Sequence, residues 1–392
     1  MSAPVTVVGI GADGWAGLPG GARHEIASCE VLMGSTRQLD LVPGAFERVP
    51  WPSPLLPALP GLLDRYADRR VCVLASGDPM FHGIGTTLVR LLGADRVRVV
   101  PHPSSVSLAC ARLGWALDDV AVVSLVGRPA ALVVPHLHPG RRVLVLGSTP
   151  AEVAALAPRA RLTVLENLGA PDERVHHDPA SAGALHVLAV ECGPAGCGPE
   201  EGSASLVPGR PDDAFEHDGQ LTKREVRAVS LALLAPRPGE LLWDVGAGAG
   251  SIAVEWCRTH PSCRAVAIEK HPERAARVTR NAVALGVPGI RVVVGPSPDA
   301  LEDLATPDAV FVGGGLTAPG VVERCWSALR PGGRLVANAV TLESEAVLTA
   351  WRSRLGGELT RIEVSRAVPI GGFTGWRPQM PVTTWAVTKE IP

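Results

Sequence analysis

Short apolar runs alternate with amphipathic segments through both halves of the chain. In the second half, apolar runs with the length of buried strands cover residues 241–245, 265–269, 290–294, 309–312 and 334–339. Apolar residues at helical spacing cover residues 222–234, 251–259, 272–285, 319–329 and 344–355. Such alternation predicts a parallel sheet. Residues 358–364 and 381–389 predict a terminal antiparallel pair joined by a loop rich in glycine and proline.

The first half shows the same alternation with different loops, so an α/β fold is predicted on both sides. Residues 5–9 and 31–33 predict strands, and residues 13–20 predict a loop rather than the start of a helix. The segment 193–210 consists mainly of small, polar and turn-forming residues. We therefore expect a linker there, between one domain at 1–192 and a second at 211–392.

Composition narrows the possible partners. The chain has 392 residues, a hydrophobic fraction of 46% and a net charge of −2, so no global basic field favours nucleic acid. The 8 cysteines form no C-x-x-C pairs, which argues against a zinc site and favours a reducing compartment. No apolar run is long enough to span a membrane, and the first residues read as a strand rather than a signal peptide.

The strongest candidate for a binding site is the loop after the apolar run 241–245. Asp244 ends that strand, glycines follow at positions 246, 248 and 250 with Ala247 and Ala249 between them, and a helix begins at Ser251. The next strand ends in Glu269. In doubly wound sheets, ligands bind outside the carboxyl ends of the strands, and an acid there accepts hydrogen bonds from a ribose. The pattern indicates an adenosyl pocket.

The spacing favours one class of adenosyl ligand over another. Dinucleotide sites use G-x-G-x-x-G, whereas Ser251 stands where that third glycine belongs. A literal G-x-G-x-x-G occurs at Gly9, Gly11 and Gly14, but the next strand ends in Gly34 and its only nearby acid, Glu30, precedes it. A nicotinamide-dependent reductase is therefore disfavoured. The alternation of glycines after Asp244 resembles the corresponding loop of the class I methyltransferases, which bind S-adenosylmethionine.

Three loops in the first half carry a second resemblance. The segments 71–83, 101–114 and 165–175, rich in Gly, Ser and Pro, resemble in this order the tetrapyrrole methylase family, a fold of two α/β lobes. The subtype they resemble methylates carbon 5 in cobalamin biosynthesis. The resemblance implies a second donor site, whose cofactor-binding residues are Gly9, Gly11, Gly77, Asp78, Ser104 and Ser105.

The segment 211–227 and the glycine loop resemble the companion methyltransferase, which methylates carbon 15 and decarboxylates. That resemblance implies that Thr222, the loop from Gly246 to Gly250, Glu269 and Ser297 hold the donor. The N/D-P-P-Y motif of amino-methylating enzymes is absent after the strand 309–312, where Gly313–Gly315 would leave room for a bulky ligand. A nucleic-acid methyltransferase is therefore disfavoured.

Together the two resemblances imply a fused enzyme with a two-lobed tetrapyrrole methylase domain and a Rossmann-like methyltransferase domain. We expect two S-adenosyl-L-methionine sites per chain, a precorrin substrate, a homo-oligomer, a cytoplasmic location, and no metal, nucleic acid or membrane partner. Because the substrate carries many carboxylates, we expect it to bind Lys223, Arg227, Arg366 and Arg377. Another small-molecule C-methyltransferase and a non-catalytic corrinoid carrier stay open as alternatives.

Overall fold

The computed structural model describes residues 4–194, 196–198, 205 and 207–391. These residues form two compact units. The first holds residues 4–130, 140–155 and 159–193. The second holds residues 131–139, 156–158 and the described residues from Pro194 onward.

The first unit opens with a five-stranded, all-parallel sheet in the order β3-β2-β4-β1-β5. Its strands are β1 (Val5–Ile10), β2 (Val31–Gly34), β3 (Glu47–Pro50), β4 (Val71–Ser76) and β5 (Val97–Val100). Its helices are α1 (Gly14–Gly17), α2 (Gly20–Ala27), α3 (Thr36–Asp40), α4 (Leu55–Arg65) and α5 (Ile84–Leu92). The central strands read as continuous apolar runs because helices cover both of their faces.

A second five-stranded sheet, in the order β6-β7-β10-β8-β9, completes the first unit. Its strands are β6 (Val120–Ser124), β7 (Arg142–Leu146), β8 (Arg161–Glu166), β9 (Arg174–His176) and β10 (His186–Glu191), with helices α6 (Ser105–Leu113) and α7 (Pro150–Leu156). Only β6 and β7 pair in parallel. Helix α6 buries Val106, Ala109 and Cys110 against this sheet.

The second unit contains a seven-stranded sheet in the order β13-β12-β11-β14-β15-β19-β16 and a separate hairpin, β17-β18. Its strands are β11 (Leu241–Val245), β12 (Arg264–Glu269), β13 (Arg291–Val294), β14 (Ala309–Val312), β15 (Arg334–Ala339), β16 (Glu358–Ile362), β17 (Ser365–Ile370), β18 (Phe373–Pro378) and β19 (Val382–Thr388). Its helices are α8 (Arg224–Leu234), α9 (Ser251–Thr259), α10 (Pro272–Ala284), α11 (Val321–Ala328) and α12 (Leu342–Leu355).

Alternate residues of the central strands face two helical layers. Trp243 and Val245 of β11 pack on the side of α11 and α12, whereas Leu242 packs on the side of α8, α9 and α10. The first five strands of the sheet order are parallel, and β19 and β16 add the antiparallel pairings that the sequence predicted. The α/β fold class is confirmed.

The structure corrects three expectations. Residues 13–20 contain the one-turn helix α1 and the start of α2, where a plain loop was predicted. The loop predicted between the last two strands contains the hairpin β17-β18. Cys192 and Cys197 are disulfide-bonded, whereas a reducing compartment predicts free thiols. Residues 195, 199–204 and 206 of the predicted linker lie outside the described residues, so that prediction stays untested.

Membrane-spanning helices and clusters of metal-ligating side chains are both absent from the described residues. No helix among them is both long and apolar enough to cross a membrane. No group of three or more His, Cys, Asp and Glu side chains in the same part of the chain could hold a metal ion.

Candidate functional site

A loop with three left-handed glycines follows the central strand β11. Gly246, Gly248 and Gly250 have φ angles of 70°, 58° and 74°, which glycine adopts without the steric cost of a Cβ. A Cβ on Gly246 would lie 2.7 Å from the Cα of Gly314, and a Cβ on Gly250 would lie 2.6 Å from Cγ1 of Val278. Gly246 therefore lets the loops after β11 and β14 meet, whereas Gly250 lets helix α9 pack against α10.

Two buried carboxylates fix the same loop. Glu269, at the end of β12, accepts hydrogen bonds from the backbone N–H of Gly248 at 2.9 Å and of His271 at 3.0 Å. Asp244 accepts one from the N–H of Ala253 at 3.1 Å, in the first turn of α9. Burial raises the pKa of Asp244 to about 7; the bond from Ala253 opposes this shift, and the charge of Glu269 adds to it.

Residues 211–223, which we call the approach segment, precede helix α8 and pass close to the glycine loop. A Cβ on Gly248 would lie 3.0 Å from the carbonyl oxygen of Gln220. The buried side chain of Asn281 on α10 ties the two together. Its Nδ2 donates to the carbonyls of Glu216 at 3.0 Å and Ala249 at 2.8 Å, and its Oδ1 accepts from the N–H of Glu216 at 2.9 Å.

A cavity of about 820 Å³ opens at this end of the sheet, within the range of about 300–1,000 Å³ for ligand pockets. Of the predicted donor ligands, the cavity brings together Thr222, Gly246, Ala247, Gly248, Glu269 and Ser297. It does not bring Asp244, Ala249 or Gly250 to its surface. Asp244 and Gly250 instead support the loop from behind, as their contacts with Ala253 and Val278 show.

The predicted substrate cations separate into three groups. Lys223 lines the cavity, with Nζ 3.6 Å from Oδ2 of Asp212. Arg366 and Arg377 face each other across the hairpin β17-β18 and do not line the cavity. Arg366 instead donates to both carboxylate oxygens of Glu225, at 2.9 and 2.8 Å.

The prediction that Arg227 binds the substrate is wrong. Its side chain has 0% exposure, and its Nε donates to Oε1 of Glu255 at 2.6 Å. The same guanidinium donates to the backbone carbonyls of Thr222 and Arg210 and to Oδ1 of Asp212. Because these bonds hold it inside the protein, Arg227 positions the approach segment and is not a substrate ligand.

Several cavity residues escaped the sequence analysis. On the side of β15, β16 and β19 these are Asn338, Val340, Ile362, Val364, Gln379 and Met380. Asn338 sits near the carboxyl end of β15, where it accepts from the Thr384 hydroxyl at 2.8 Å and donates to Ser230 at 3.0 Å. Its place at the end of a parallel strand is the signal that could have found it.

The first unit holds a comparable glycine site, the first cradle, at the carboxyl edge of its parallel sheet. The glycine loop at Gly246–Gly248 in the second unit is called the second cradle. A Cβ on Gly9 would lie 2.1 Å from the carbonyl oxygen of Gly77 and 2.8 Å from the backbone N of His102. Gly77 has a φ of 60°, and a Cβ there would lie 3.1 Å from the Cα of Ser104. The end of β1 therefore meets the loops after β4 and β5, and this close approach needs glycine at Gly9 and Gly77.

The other predicted ligands of the first unit lie around this cradle. Asp78 and Ser104 line a cavity of about 450 Å³. Ser104 also caps α6 by accepting from the N–H of Ser107 at 3.0 Å. Gly11 faces the Asp13 carboxylate and the His102 ring, with its virtual Cβ 2.4 Å from Oδ1 and 2.8 Å from Cε1. Ser105 is exposed and does not line the cavity.

Each cradle lies in a segment of the chain that matches a family model. Residues 4–182 match the tetrapyrrole (corrin/porphyrin) methylases, and residues 213–389 match the precorrin methyltransferase domain. A relative from Sinorhizobium named precorrin-6Y C(5,15)-methyltransferase [decarboxylating] is 50% identical over 403 residues, 98% of this chain and 96% of that protein. The chain belongs to this family. As a precorrin-6Y C(5,15)-methyltransferase family member, it is a methyltransferase that uses S-adenosylmethionine.

Two relatives from Salmonella typhimurium cover about half of the chain each. One, named cobalt-precorrin-7 C(5)-methyltransferase, is 35% identical over 45% of this chain and 92% of its own length. The other, named cobalt-precorrin-6B C(15)-methyltransferase (decarboxylating), is 31% identical over 43% of this chain and 90% of its own length. Proteins similar to parts of this family member thus exist as separate chains.

The cavity of the second unit fits an S-adenosylmethionine molecule by its chemistry. Glu269 carries carboxylate oxygens whose remaining lone pairs can accept from a ribose diol. Gly246 and Gly248 line the cavity without a side chain that would reach into it. These residues of the family member would hold the donor.

Proposed function

We propose that this chain methylates a precorrin macrocycle at carbons 5 and 15 and removes the ring-C acetate carboxylate, converting precorrin-6B to precorrin-8x. The observation that carries the proposal is the presence of two glycine cradles in one chain, at Gly9–Gly77 and at Gly246–Gly248. Each cradle lies at the carboxyl ends of parallel strands and within a segment that matches a family model. Two methyl transfers need two donor sites, or one site used twice.

We assign carbon-5 methylation to residues 1–192, and carbon-15 methylation with decarboxylation to residues 211–392, joined by a linker at 193–210. The names of the two half-length relatives support this assignment, since each names one of the two methylations. The single-cradle alternative, in which one unit transfers both methyl groups, leaves the other cradle without a role.

S-adenosylmethionine supplies an activated methyl group on a sulfonium. The protein must therefore mainly orient the donor and the ring carbon, an effect that can lower a barrier by roughly 7–11 kcal/mol. In the second unit, Glu269 fixes the ribose, and Thr222 and Ser297 bind the rest of the donor. The cavity continues past the glycine loop to Asn338 and Gln379, and a macrocycle would approach the donor from that side.

The substrate brings its own electron sink. Loss of the acetate carboxylate as carbon dioxide leaves its bonding electron pair in the conjugated macrocycle, and a proton then takes the vacated position. Lys223 is the cavity cation that we place beside a substrate carboxylate, because 42% of its side chain stays accessible although its neighbour Asp212 is 3.6 Å away.

The deciding experiment incubates the full chain with precorrin-6B and methyl-labelled S-adenosylmethionine and measures product mass. Two methyl groups gained and one carbon dioxide lost is the expected result. Binding titration should give two donor molecules per chain, and a count of zero would end the proposal.

Paired variants test the assignment of sites. Gly77→Val should abolish carbon-5 methylation alone, and Gly248→Val should abolish carbon-15 methylation alone, because each Cβ would enter its own cradle. Loss of both activities in both variants would argue against two independent sites. The homo-oligomeric state and cytoplasmic location stay predictions; light scattering on the purified protein and fractionation of the source cells test them.

A further inference from the structure

One arginine stands at the carboxyl edge of the first parallel sheet, next to the cradle. Arg37 lies on α3, which begins directly after β2 with Ser35 as its N-cap. Its Nη2 donates to the hydroxyl of Ser76 at 3.1 Å. Ser76 ends β4 and immediately precedes Gly77, so the guanidinium is anchored one residue away from the cradle.

The partner of this cation is neutral. The Ser76 hydroxyl oxygen also accepts from Nε2 of the buried Gln38 at 3.0 Å, which fixes the hydroxyl in place. Among the residues that the structure describes, no carboxylate lies within ion-pair distance of Arg37. Arg37 is exposed and keeps most of its N–H donors available for a ligand.

Arginines at the opposite edge of the same sheet behave differently. Arg70 precedes β4 and pairs with Glu30, which precedes β2, at 3.6 Å. Arg69 pairs with Glu47, the first residue of β3. Because all strands run parallel, these pairs mark the amino edge, far along the strands from the cradle. At the ligand edge, by contrast, Arg37 has no carboxylate partner among the residues that the structure describes, and it bonds the neutral Ser76 hydroxyl.

We propose that Arg37, oriented by Ser76, binds a side-chain carboxylate of the tetrapyrrole and so positions the macrocycle for methylation at carbon 5. This inference rests on the proposed function of the first unit. A guanidinium meets a carboxylate through two parallel hydrogen bonds, which fixes both distance and orientation. Arg37 is a positioning residue and takes no part in moving protons.

The same chemistry could come from a second source, because S-adenosylmethionine also carries a carboxylate. The two sources differ in what they change. A tetrapyrrole carboxylate affects the KM for the macrocycle, whereas a donor carboxylate affects the Kd for S-adenosylmethionine.

The test uses the full chain with Arg37→Gln and Arg37→Lys, and with Arg70→Gln as a matched exposed arginine at the other edge. Carbon-5 methylation is followed by product mass over a range of tetrapyrrole concentrations. Donor affinity at the first cradle is titrated separately in the Gly248→Val background, in which the second cradle is blocked.

We expect Arg37→Gln to raise the KM for the tetrapyrrole roughly ten- to hundredfold, with the rate at saturation and the donor Kd unchanged. Arg37→Lys should lose less affinity, because lysine keeps the positive charge but lacks the paired N–H donors of the guanidinium. Arg70→Gln should have the KM of the parent chain. An unchanged KM, a weakened donor Kd, or a loss that saturating tetrapyrrole does not restore would each overturn the proposal. If the parent chain itself does not methylate carbon 5, the proposed function fails rather than the role of Arg37.

Discussion

The carboxylate of Glu269 accepts a hydrogen bond from the backbone N–H of Gly248 at 2.9 Å. Glu269, at the end of β12, therefore fixes the glycine loop that follows the neighbouring strand β11. The same carboxylate lines the cavity, so loop geometry and donor binding depend on one side chain.

Replacing Glu269 by Gln tests that double role. The amide keeps the shape but offers one carbonyl oxygen to the two backbone donors, Gly248 and His271. One donor is then left facing an NH₂ group, and the ribose loses a charged acceptor. We expect the Kd for S-adenosylmethionine at this site to weaken roughly tenfold or more, measured by titration calorimetry. Unchanged affinity would mean that Glu269 does not contact the donor.

Replacing Gly248 by Val should impair the site at Gly246–Gly248 more severely than Glu269→Gln does. The residue has a φ of 58°, and its Cβ would lie 3.0 Å from the carbonyl of Gln220, so backbone strain and a clash act together. We expect carbon-15 methylation to fall by more than about a hundredfold, which corresponds to roughly 3 kcal/mol. Gly289→Ala is the control, because no atom lies within 4 Å of its virtual Cβ and its activity should be retained.

Much of the candidate site in the second unit could be predicted because its signal is local. Asp244 and Glu269 lie at the carboxyl ends of two strands, Gly246 and Gly248 follow the first of them, and parallel pairing brings these ends to one edge. Ser297 and Thr222 came from family resemblance, and both line the cavity. The contacts that hold the approach segment could not be predicted, since Asn281 lies 65 residues along the chain from Glu216.

Arg227 shows a different limit. It shares the spacing of the buried positions Ser230, Leu231 and Leu234 on α8, so it stands on the apolar stripe. A cation there needs a buried acid, but Glu255 lies 28 residues further on and nothing in the local sequence connects them. Similarly, the prolines and glycines of residues 365–378 read as a loop, although Gly371 and Gly372 form a two-residue hairpin turn between Ile370 and Phe373.

Stability should fall as pH rises through the range set by Asp244. Burial raises the pKa of this carboxyl from 3.8 to about 7 in the folded protein, so between those values the folded state binds a proton that the unfolded state has lost. Its contribution to the free energy of unfolding is therefore complete below about pH 4 and decreases up to about pH 7, by at most about 1.4 kcal/mol per pH unit.

Asp244→Asn should remove this dependence, because the amide oxygen can still accept from Ala253 without titrating. Urea unfolding of the parent and the variant at several pH values measures the difference between them. The difference should shift in favour of the variant as the pH rises from 4 to 7. A constant difference across that range would contradict a raised pKa for Asp244, and the exposed Asp299→Asn serves as the matched control.

Two arginine ion pairs in the second unit should differ strongly in their contribution to stability. Arg227 and Glu255 are 0% and 3% exposed, whereas Arg366 and Glu225 are 48% and 38% exposed. Arg227→Met leaves Glu255 charged and buried, which costs about 3–5 kcal/mol. Arg366→Gln should cost no more than about 1 kcal/mol. Equal losses in the free energy of unfolding would contradict a larger contribution from the buried pair Arg227–Glu255.

Asn281→Leu should separate donor binding from chemistry in the second unit. The leucine has a similar volume but cannot bond the backbone of Glu216 or the carbonyl of Ala249, so the approach segment and the glycine loop lose their shared anchor. We expect the KM for S-adenosylmethionine in carbon-15 methylation to rise about tenfold or more, while carbon-5 methylation in the same reaction stays at the parental rate. Thr279→Val, on the same helix, removes a hydroxyl that bonds only the carbonyl of Ala275 and should leave both rates unchanged. A fall in kcat at unchanged KM would place Asn281 in the transfer step instead of in the assembly of the donor pocket.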